Sequence, residues 1–486
     1  MSRLLDVLVV GAGPTGLTMA CELRRHGLSC RIVDQAEAPS GIPKAIAVQT
    51  RTLEVFDMMG IDEEFVATGH QVHGLNVYAT GRRLAHVAFE GMPTRYPYVL
   101  TLPQSETEEL LTKRLSALGV GVERPVQCAG VAQQEDGVEA TLRLPDATTE
   151  TVQVRWLVGC DGAHSAVRKA IGLPFAGTRY EEAFLLAYVR LEYDAAADEG
   201  HAFFTPDGPV ALLPLPRGRH YVILPLLKET SETDQTTVSL DDLKALLAQR
   251  GMAGLRILET FWMSKFRVHR RIVPSLRVGR VFLCGDASHI HSPVGGQGMN
   301  LGIQDAFNLA WKLALVTRGV AKPGLLDSYH AERHPIASET LMGTDLATKV
   351  VTLRNPLAQT FRNQIAMFLS SLEAVQHRLT QSVSGIVRHY RKSPIVGEYH
   401  QGFLGVAAGG PATAEPPGFS EWREFVAAPA AGDRASDGTV SVRGAGIPLS
   451  LFELLRPGRH VLLLFDGRGA APAGYRMLEE IEQGVR

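Results

Sequence analysis

The sequence predicts an α/β protein in which a parallel-sheet unit is interrupted by an antiparallel-sheet domain and completed further along the chain. Three observations predict it. A strand, a G-x-G-x-x-G turn, a helix and a second strand ending in an acid occupy the first 34 residues. A second strand, glycine loop and helix run from Arg280 to Lys312. Between them, from about Phe175 to Arg271, the chain changes to short strands separated by turns.

In chain order, Leu4 to Val10 is an apolar run that reads as a strand, followed by Gly11-Ala12-Gly13-Pro14-Thr15-Gly16. Pro14 to His26 reads as a helix stopped by Gly27, and Ser29 to Val33 as a strand ending at Asp34. Asp34 stands eighteen residues after Gly16, the reach expected of an acid on the ribose hydroxyl of an ADP moiety. This is a Rossmann-type dinucleotide fingerprint, but it does not distinguish FAD from NAD.

Lys44 to Asp57 reads as a turn into a helix with Arg51 in its early part. Tyr98 to Pro103 is a strand, Gln104 a junction, and Ser105-Glu106-Thr107-Glu108 a capping box opening a helix towards Leu118. Turn signals at Asp136-Gly137 and Pro145-Asp146 suggest an antiparallel meander. Arg155 to Gly159 is a strand running into Cys160-Asp161-Gly162, then a helix with Arg168, which Asp161 could cap.

The antiparallel domain has turns at Pro206-Asp207-Gly208 and Arg217-Gly218 and one helix near Leu240 to Gly251. Its last strand alternates Trp262, Ser264, Phe266 and Val268 with Met263, Lys265, Arg267 and His269, which implies a core face and a solvent face. Next comes the stretch on which the rest is organised. Val281 to Cys284 is a strand ending in Gly285-Asp286, the loop carries Pro293, Gly295, Gly296 and Gly298, and Ile303, Ala306, Phe307, Ala310 and Leu313 fall on one face of a helix. The helix start points free N–H groups and roughly half a positive charge at the glycine loop. That end favours an anion.

Leu325 to Pro335 and helices up to about Lys392 follow, then an Ala-, Pro- and Gly-rich linker from about Gly402 to Asp437. Leu451 to Phe465 reads as helix, turn and buried strand. The expected domains are 1–175 and 276–395 for the two parts of the dinucleotide unit, 176–275 for the sheet domain, and 396–486 for linker and C-terminal domain.

Composition narrows the classes. With 486 residues, 45% of them hydrophobic, and no long apolar span free of charge, a membrane protein is not expected. Net charge is −2 with dispersed basic residues, which argues against nucleic acid. The five cysteines (Cys21, Cys30, Cys128, Cys160, Cys284) fit neither a zinc site nor a redox pair, and the N-terminus lacks a secretory pattern, so a cytoplasmic protein without a metal is expected.

The Arg280–Lys312 stretch resembles the second flavin motif of the single-component flavin monooxygenases, the p-hydroxybenzoate and phenol hydroxylase group, especially its bacterial aromatic polyketide hydroxylase branch. The resemblance implies a glutathione-reductase-like FAD-binding domain. It implies that Asp286, after Gly285, holds the ribityl chain, and that Pro293, Gly296, Gly298, Met299 and Asn300 face the pyrimidine edge of the isoalloxazine. Gly11, Gly13, Pro14, Thr15, Gly16, Asp34 and Gln35 would hold the ADP part. Lys44 and Arg51 would serve its phosphates and ribose, Gln104 would lie beside the ribityl chain, and Asp161 would belong to a third motif shared with the pyridine nucleotide. No second glycine-turn unit is present for NAD(P), so non-covalent FAD is the resident dinucleotide and NADPH or NADH visits transiently.

The implied cycle is reduction of FAD by NAD(P)H, uptake of O2 as a flavin C4a-hydroperoxide, and attack by an electron-rich phenol. No catalytic base is identified; Pro293, His289 and His291 are flavin-proximal candidates. A halogenase on this fold normally shows Trp-x-Trp, whereas Trp156, Trp262, Trp311 and Trp422 are far apart. Baeyer-Villiger oxygenation and a redox-silent FAD-binding protein stay open, as do monomer and homodimer. Phe203, Phe204, Leu212, Leu213, Leu215 and Leu224 suggest a wide apolar pocket for a multi-ring phenol in preference to p-hydroxybenzoate. The C-terminal segment resembles the thioredoxin-like domain that closes many such hydroxylases, without cysteines and, ending at Arg486, expected to be incomplete.

Overall fold

The computed structural model describes residues 4–226, 238–292, 295–353, 355–370, 373–397, 429–441 and 448–463. They divide into two units, one up to Ser436 and one from Asp437 onward. The helices of the first unit are α1 (Pro14–Arg25), α2 (Thr50–Met59), α3 (Asp62–Thr68), α4 (Gln104–Ala117), α5 (Ala166–Ala170), α6 (Leu240–Gln249), α7 (Gly298–Thr317), α8 (Asp327–Val351), α9 (Pro356–Ser370) and α10 (Glu373–Ser384).

Its first sheet is built on parallel strands in the order Val281–Leu283, Thr149–Gly159, Leu5–Val10, Cys30–Val33. Val7, Leu8, Val9, Leu157, Val158 and Val281 are fully buried, because a parallel sheet is covered on both faces and its strands are apolar on both. The register pairs Val10 with Gly159 and Val33, and Gly159 with Leu283. All four strands therefore end at one edge, and the loops that follow are the motif loops: Gly11, Asp34, Asp161 and Gly285-Asp286. A ligand of such a sheet lies outside the carboxyl ends of the strands. The meander Gln127–Gln133 and Val138–Arg143 pairs antiparallel with Thr149–Gly159, as expected.

The second sheet has the order His289–Ile290, Arg256–Ile272, Ala176–Glu192, Arg219–Leu226, Val210–Leu215, Glu199–Phe204, Gly74–Ala79, Arg82–Ala88. Its last two strands correct the expected boundary at 175, since they come from inside the first segment. Gly74–Ala79 joins by parallel pairing with Glu199–Phe204, a contact across more than a hundred residues that local pattern does not carry.

One face of this sheet packs Leu185, Ala187, Val189, Leu212, Val222 and Leu224 against Leu243 and Leu247 of α6. Each such buried leucine contributes about 1.5–3 kcal/mol. Ser239 and Asp242 form a capping box that starts α6 where the apolar pattern begins. The opposite face carries Leu186, Tyr188, Leu213, Leu215, Tyr221 and Ile223 with Ile46, and Tyr221 Oη donates to the Pro43 carbonyl at 2.8 Å. The six apolar residues expected to line one pocket are thus divided: Phe203, Leu212 and Leu224 belong to the α6 core, Leu213 and Leu215 face the segment around Lys44, and Phe204 lies beneath the guanidinium of Arg362. Lys265 is a further correction. It pairs with Leu185, on the α6 side, and is 5% exposed, so that side of the last strand is not a solvent face.

In the second unit, Thr439–Ser441 pairs with Pro448–Ser450, and Ser450 and Glu453 box the start of the helix Leu451–Leu455. The expected buried strand is absent among the described residues: Val461, Leu462 and Leu463 are exposed and unpaired as a strand. The two described strands of this unit pair with each other. The rest of the expected thioredoxin-like domain, and most of the linker, lie outside the described residues. No helix among the described residues is long and apolar enough to cross a membrane.

Candidate functional site

The N-terminal glycines do three different jobs. Gly11, at φ +100°, has the Cys160 carbonyl where a Cβ would be, and a Cβ on Gly16 would strike the Gly11 carbonyl. Gly13 has nothing within 4 Å, so its backbone borders open space at the start of α1, which no side chain caps. An uncapped helix start of this kind can receive an anion. Asp34 accepts from Ala12 N at 2.6 Å and from Ala36 N at 2.8 Å, and Arg124 stands 3.1 Å from its other contact point, Oδ1. No local motif marks Arg124. Gln35 is exposed beside them.

At the second strand end, Gly285 (φ +59°) and Gly302 of α7 both lie against Thr15, whose hydroxyl would be 2.7 Å from a Cβ at Gly285. Thr15 is thereby committed to packing α1 on α7. Asp286 keeps solvent access although protein atoms crowd around it. Burial by the surrounding protein pushes its carboxyl above the usual range, against the pull of His289 and Lys44. Lys44 itself is exposed. Gln104 Nε2 donates to Glu108 Oε1 at 2.8 Å, and burial raises the Glu108 carboxyl. The expected capping box at Ser105 does not form: α4 starts at Gln104, one residue earlier, behind Pro103, which caps it with no side-chain bond. The fixed φ of Pro103 starts the helix before Ser105 can act as a cap.

The start of α7 has no side-chain cap either. Asn300 is fully buried; its Oδ1 accepts from Gln49 N at 2.9 Å and its Nδ2 donates to the carbonyls of Ala47 and Gly296, both at 2.8 Å. Its side chain fastens the helix start to the segment before α2, which leaves the backbone N–H groups of Gly298, Met299 and Asn300 to meet an anion. Gly296, at φ +60°, lies against Ala47. Pro293 lies outside the described residues.

The two histidines differ. His289 Nε2 is 2.7 Å from Asp305 Oδ2, Arg333 Nε donates to Asp305 Oδ1 at 2.7 Å, and Gly285 N donates to Oδ2 at 3.1 Å. All three side chains are buried. Burial opposes the charge on Asp305, but Arg333 and then His289 overcome it and hold the carboxyl at about 2. His289 is therefore a brace behind the Gly285-Asp286 turn. His291 Nδ1 donates to the Ser292 carbonyl at 2.8 Å, so Nε2 carries the lone pair; it is buried without a hydrogen-bond partner among the described residues. Burial pulls this imidazole down to about 4, so it is neutral at pH 7.

Two other expected ligands also make contacts within the protein. Asp161 accepts from Ser165 Oγ at 2.5 Å and from Ala166 N and Val167 N at 2.7 and 3.1 Å, so it caps α5. Arg168 from that helix donates to the Ala287 carbonyl at 3.1 Å, which ties the third motif to the Asp286 turn. Arg51 Nη1 donates to Glu54 Oε2 at 2.8 Å and lines a 240 Å³ cavity with Phe307, Trp311 and Tyr390. A 450 Å³ cavity lies against Arg155, Arg277, Arg280 and Thr317, at the far end of α7 from the glycine loop. Arg124, Asp305 and Arg333 were missed by sequence reasoning; of these, an acid within the buried face of α7 was the one visible signal.

Residues 4–344 match the family model described as FAD binding domain. The chain is similar to 6-methylpretetramide 4-monooxygenase of Streptomyces rimosus, 40% identical over 83% of this chain and 73% of that protein. It is 34% identical to pentachlorophenol 4-monooxygenase of Sphingobium chlorophenolicum, over 98% of this chain and 82% of that protein. Among solved structures, the OxyS anhydrotetracycline hydroxylase from Streptomyces rimosus superposes with a TM-score of 0.68 at 34% identity, covering 82% of this chain and 78% of that one.

Proposed function

Given that this chain belongs to the FAD binding domain family and is a flavin-dependent aromatic monooxygenase, we propose that it couples NADPH or NADH and O2 to hydroxylation of a multi-ring phenol of polyketide type. The balance is ArH + NAD(P)H + O2 + H⁺ giving ArOH + NAD(P)⁺ + H2O. One observation carries this reading: the loops after four parallel strand ends meet an uncapped α7 and an accessible Asp286 at one edge of the sheet. Open space at Gly13 and two uncapped helix starts fit a dinucleotide whose pyrophosphate and ring edge both carry negative charge.

Bound FAD supplies the electron transfer from nicotinamide and the activation of oxygen. The residues around it bind, orient and exclude water. Asp286 takes hydroxyl groups of the ribityl chain, and Lys44, whose charge acts on Asp286, offsets its negative charge. The N–H groups of Gly298 to Asn300 stabilise negative charge at the pyrimidine edge, an effect of about 1–2 kcal/mol at a partly buried helix end. The sheet face bearing Leu186, Leu213, Leu215 and Ile223 gives an apolar wall towards the Lys44 segment. Such a wall keeps water from the reacting oxygen, which would otherwise be lost as hydrogen peroxide.

A phenol can be oriented by few polar contacts in such a pocket. Neither histidine is assigned as its base, since His289 is held by Asp305 and His291 is neutral far below pH 7. A redox-silent FAD carrier is disfavoured because the relatives are monooxygenases, and hydroxylation is preferred to Baeyer-Villiger oxygenation because the structural relative OxyS is named a hydroxylase. The five buried free thiols support the cytoplasm as its compartment. The test measures NADPH consumed, hydroxylated product and peroxide side by side for a multi-ring phenol and for simple phenols. Higher product per NADPH on the multi-ring compound is expected; tight coupling on simple phenols alone would overturn the substrate class.

A further inference from the structure

The fold brings together two cysteines that stand far apart in sequence. Cys160 follows the strand Thr149–Gly159 and Cys284 follows Val281–Leu283, and these strands are parallel neighbours whose last pair is Gly159 with Leu283. Cys284 is still extended (φ −131°, ψ 148°) and its N–H donates to the Gly159 carbonyl at 3.0 Å, so the register continues and sets Cys160 beside Cys284. In-register neighbours point to the same side of a sheet, with backbones about 4.8 Å apart. A disulfide needs Cα atoms about 4.4–6.8 Å apart. The thiols act on one another: contact with the Cys284 thiol, and next burial, push the Cys160 thiol well above its ordinary value. Cys284 Sγ is also 3.1 Å from Tyr329 Oη. The other three thiols each donate to a backbone carbonyl, Cys21 to Leu111 at 3.6 Å, Cys30 to Ala20 at 3.9 Å and Cys128 to Gly130 at 3.7 Å.

We propose that Cys160 and Cys284 are a modification site, a thiol pair that hydrogen peroxide converts to a reversible disulfide and that thereby loosens the dinucleotide site. The peroxide is the one released when oxygen activation and hydroxylation come apart, so its source rests on the monooxygenase reading. One sulfur, as thiolate, attacks peroxide; the O–O bond breaks, leaving a sulfenic acid and water. The second thiol attacks that sulfur, the S–S bond forms and a second water leaves. Two thiols and H2O2 thus give one disulfide and two waters, and the two electrons lost by sulfur reduce the peroxide. The thiolate is the reactive form, and Cys160 is protonated at pH 7, so the oxidation is slow, speeds up with pH and answers sustained peroxide.

What rests on the pair gives the consequence. A Cβ on Gly16 would be 3.3 Å from the Cys160 Cβ, and one on Gly11 would strike the Cys160 carbonyl, so the first glycine turn lies directly on Cys160. Cys160 leads into Asp161, the cap of α5, and Cys284 into Gly285-Asp286. Joining the two sulfurs draws together the strand ends from which both motif loops leave. The glycine turn has no slack to absorb that movement, because only the missing Cβ atoms let it sit there. FAD binding weakens as a result, and reduction of the disulfide restores it.

The test treats the FAD-loaded full chain with added hydrogen peroxide and, in parallel, with NADPH, oxygen and a simple phenol, with and without catalase. Peptides are then mapped by mass spectrometry without reduction, and FAD release is followed by fluorescence. The expected result in both arms is a peptide pair joined through Cys160 and Cys284, formed faster at higher pH and removed by dithiothreitol, with FAD dissociating at least tenfold faster. Catalase should abolish it in the turnover arm. Cys160→Ser and Cys284→Ser should each keep FAD through the peroxide treatment, and Cys128→Ser should respond as wild type. Oxidation of these cysteines to sulfinic acid with no joined peptide overturns the proposal. So does a joined peptide in a protein that holds FAD as firmly as before, or FAD loss from both serine variants at the wild-type rate. Joining under added peroxide but never under turnover would overturn the monooxygenase as the source of the oxidant, separately from the pair itself.

Discussion

Asp305→Asn removes the charge at the centre of the brace behind Gly285-Asp286 while keeping its shape. In the folded protein Asp305 is held at about 2 against an ordinary value of 3.8, which favours its ionised form by about 2–3 kcal/mol through linkage. Because the folded value is depressed, that contribution is present above pH 3.8 and is lost as pH falls through about 2. The substitution also leaves the guanidinium of Arg333, 1% exposed, without its charge partner, and breaking a buried pair from one side costs about 3–5 kcal/mol. We expect a loss of about 3–5 kcal/mol, measured by urea unfolding of the FAD-loaded protein near neutral pH. Asp305→Asn combined with Arg333→Met should cost less than the sum of the single changes. A single variant within about 1 kcal/mol of wild type, or strict additivity, would refute the view of Asp305 as a charged brace.

Asp286→Ala should weaken FAD binding roughly ten- to a hundred-fold, the loss of a charge-assisted hydrogen bond of about 1.5–3 kcal/mol, as read by fluorescence titration. Gly298→Asp is sterically tolerable, as its Cβ would sit 3.7 Å from His291, so it should fold, lower the flavin reduction potential by about 20–40 mV and slow reduction. A potential that does not move in a variant retaining FAD would show that α7 does not point at the ring. His291 is depressed to about 4, so the stability tied to its neutral form is present above pH 6.5 and lost as pH falls through about 4. In His291→Gln the fall in stability across that window should shrink, and a pH profile parallel to wild type would argue against it.

The parts of the fold legible in the sequence were those where local rules and tertiary structure agree. Leu5–Val10 and Val281–Leu283 are apolar on both faces because both faces are covered, and Gly11, Gly16 and Gly285 stand where a Cβ has no room. The hairpin from Gly74 to Ala88 was not legible as part of the second sheet, because its partner is Glu199–Phe204. Nor did composition say which of Leu212 and Leu213 faces α6; strand register decides that, and neighbours in sequence point opposite ways. At the site, the contacts that Arg51 makes with Glu54 and Asp161 with the start of α5 were not fixed by the motifs in which these residues stand. Arg124 and Arg333 reach the site from distant elements and had no motif to mark them.

The central claim, that oxygen activated at this sheet edge enters an aromatic ring, is tested most directly by turnover under oxygen-18 gas with NADPH and a multi-ring phenol, followed by mass spectrometry of the product. One labelled oxygen per hydroxylated molecule is expected, in step with NADPH oxidised. Substrate-stimulated NADPH oxidation that ends wholly in labelled hydrogen peroxide, with no label in the aromatic compound, would contradict it.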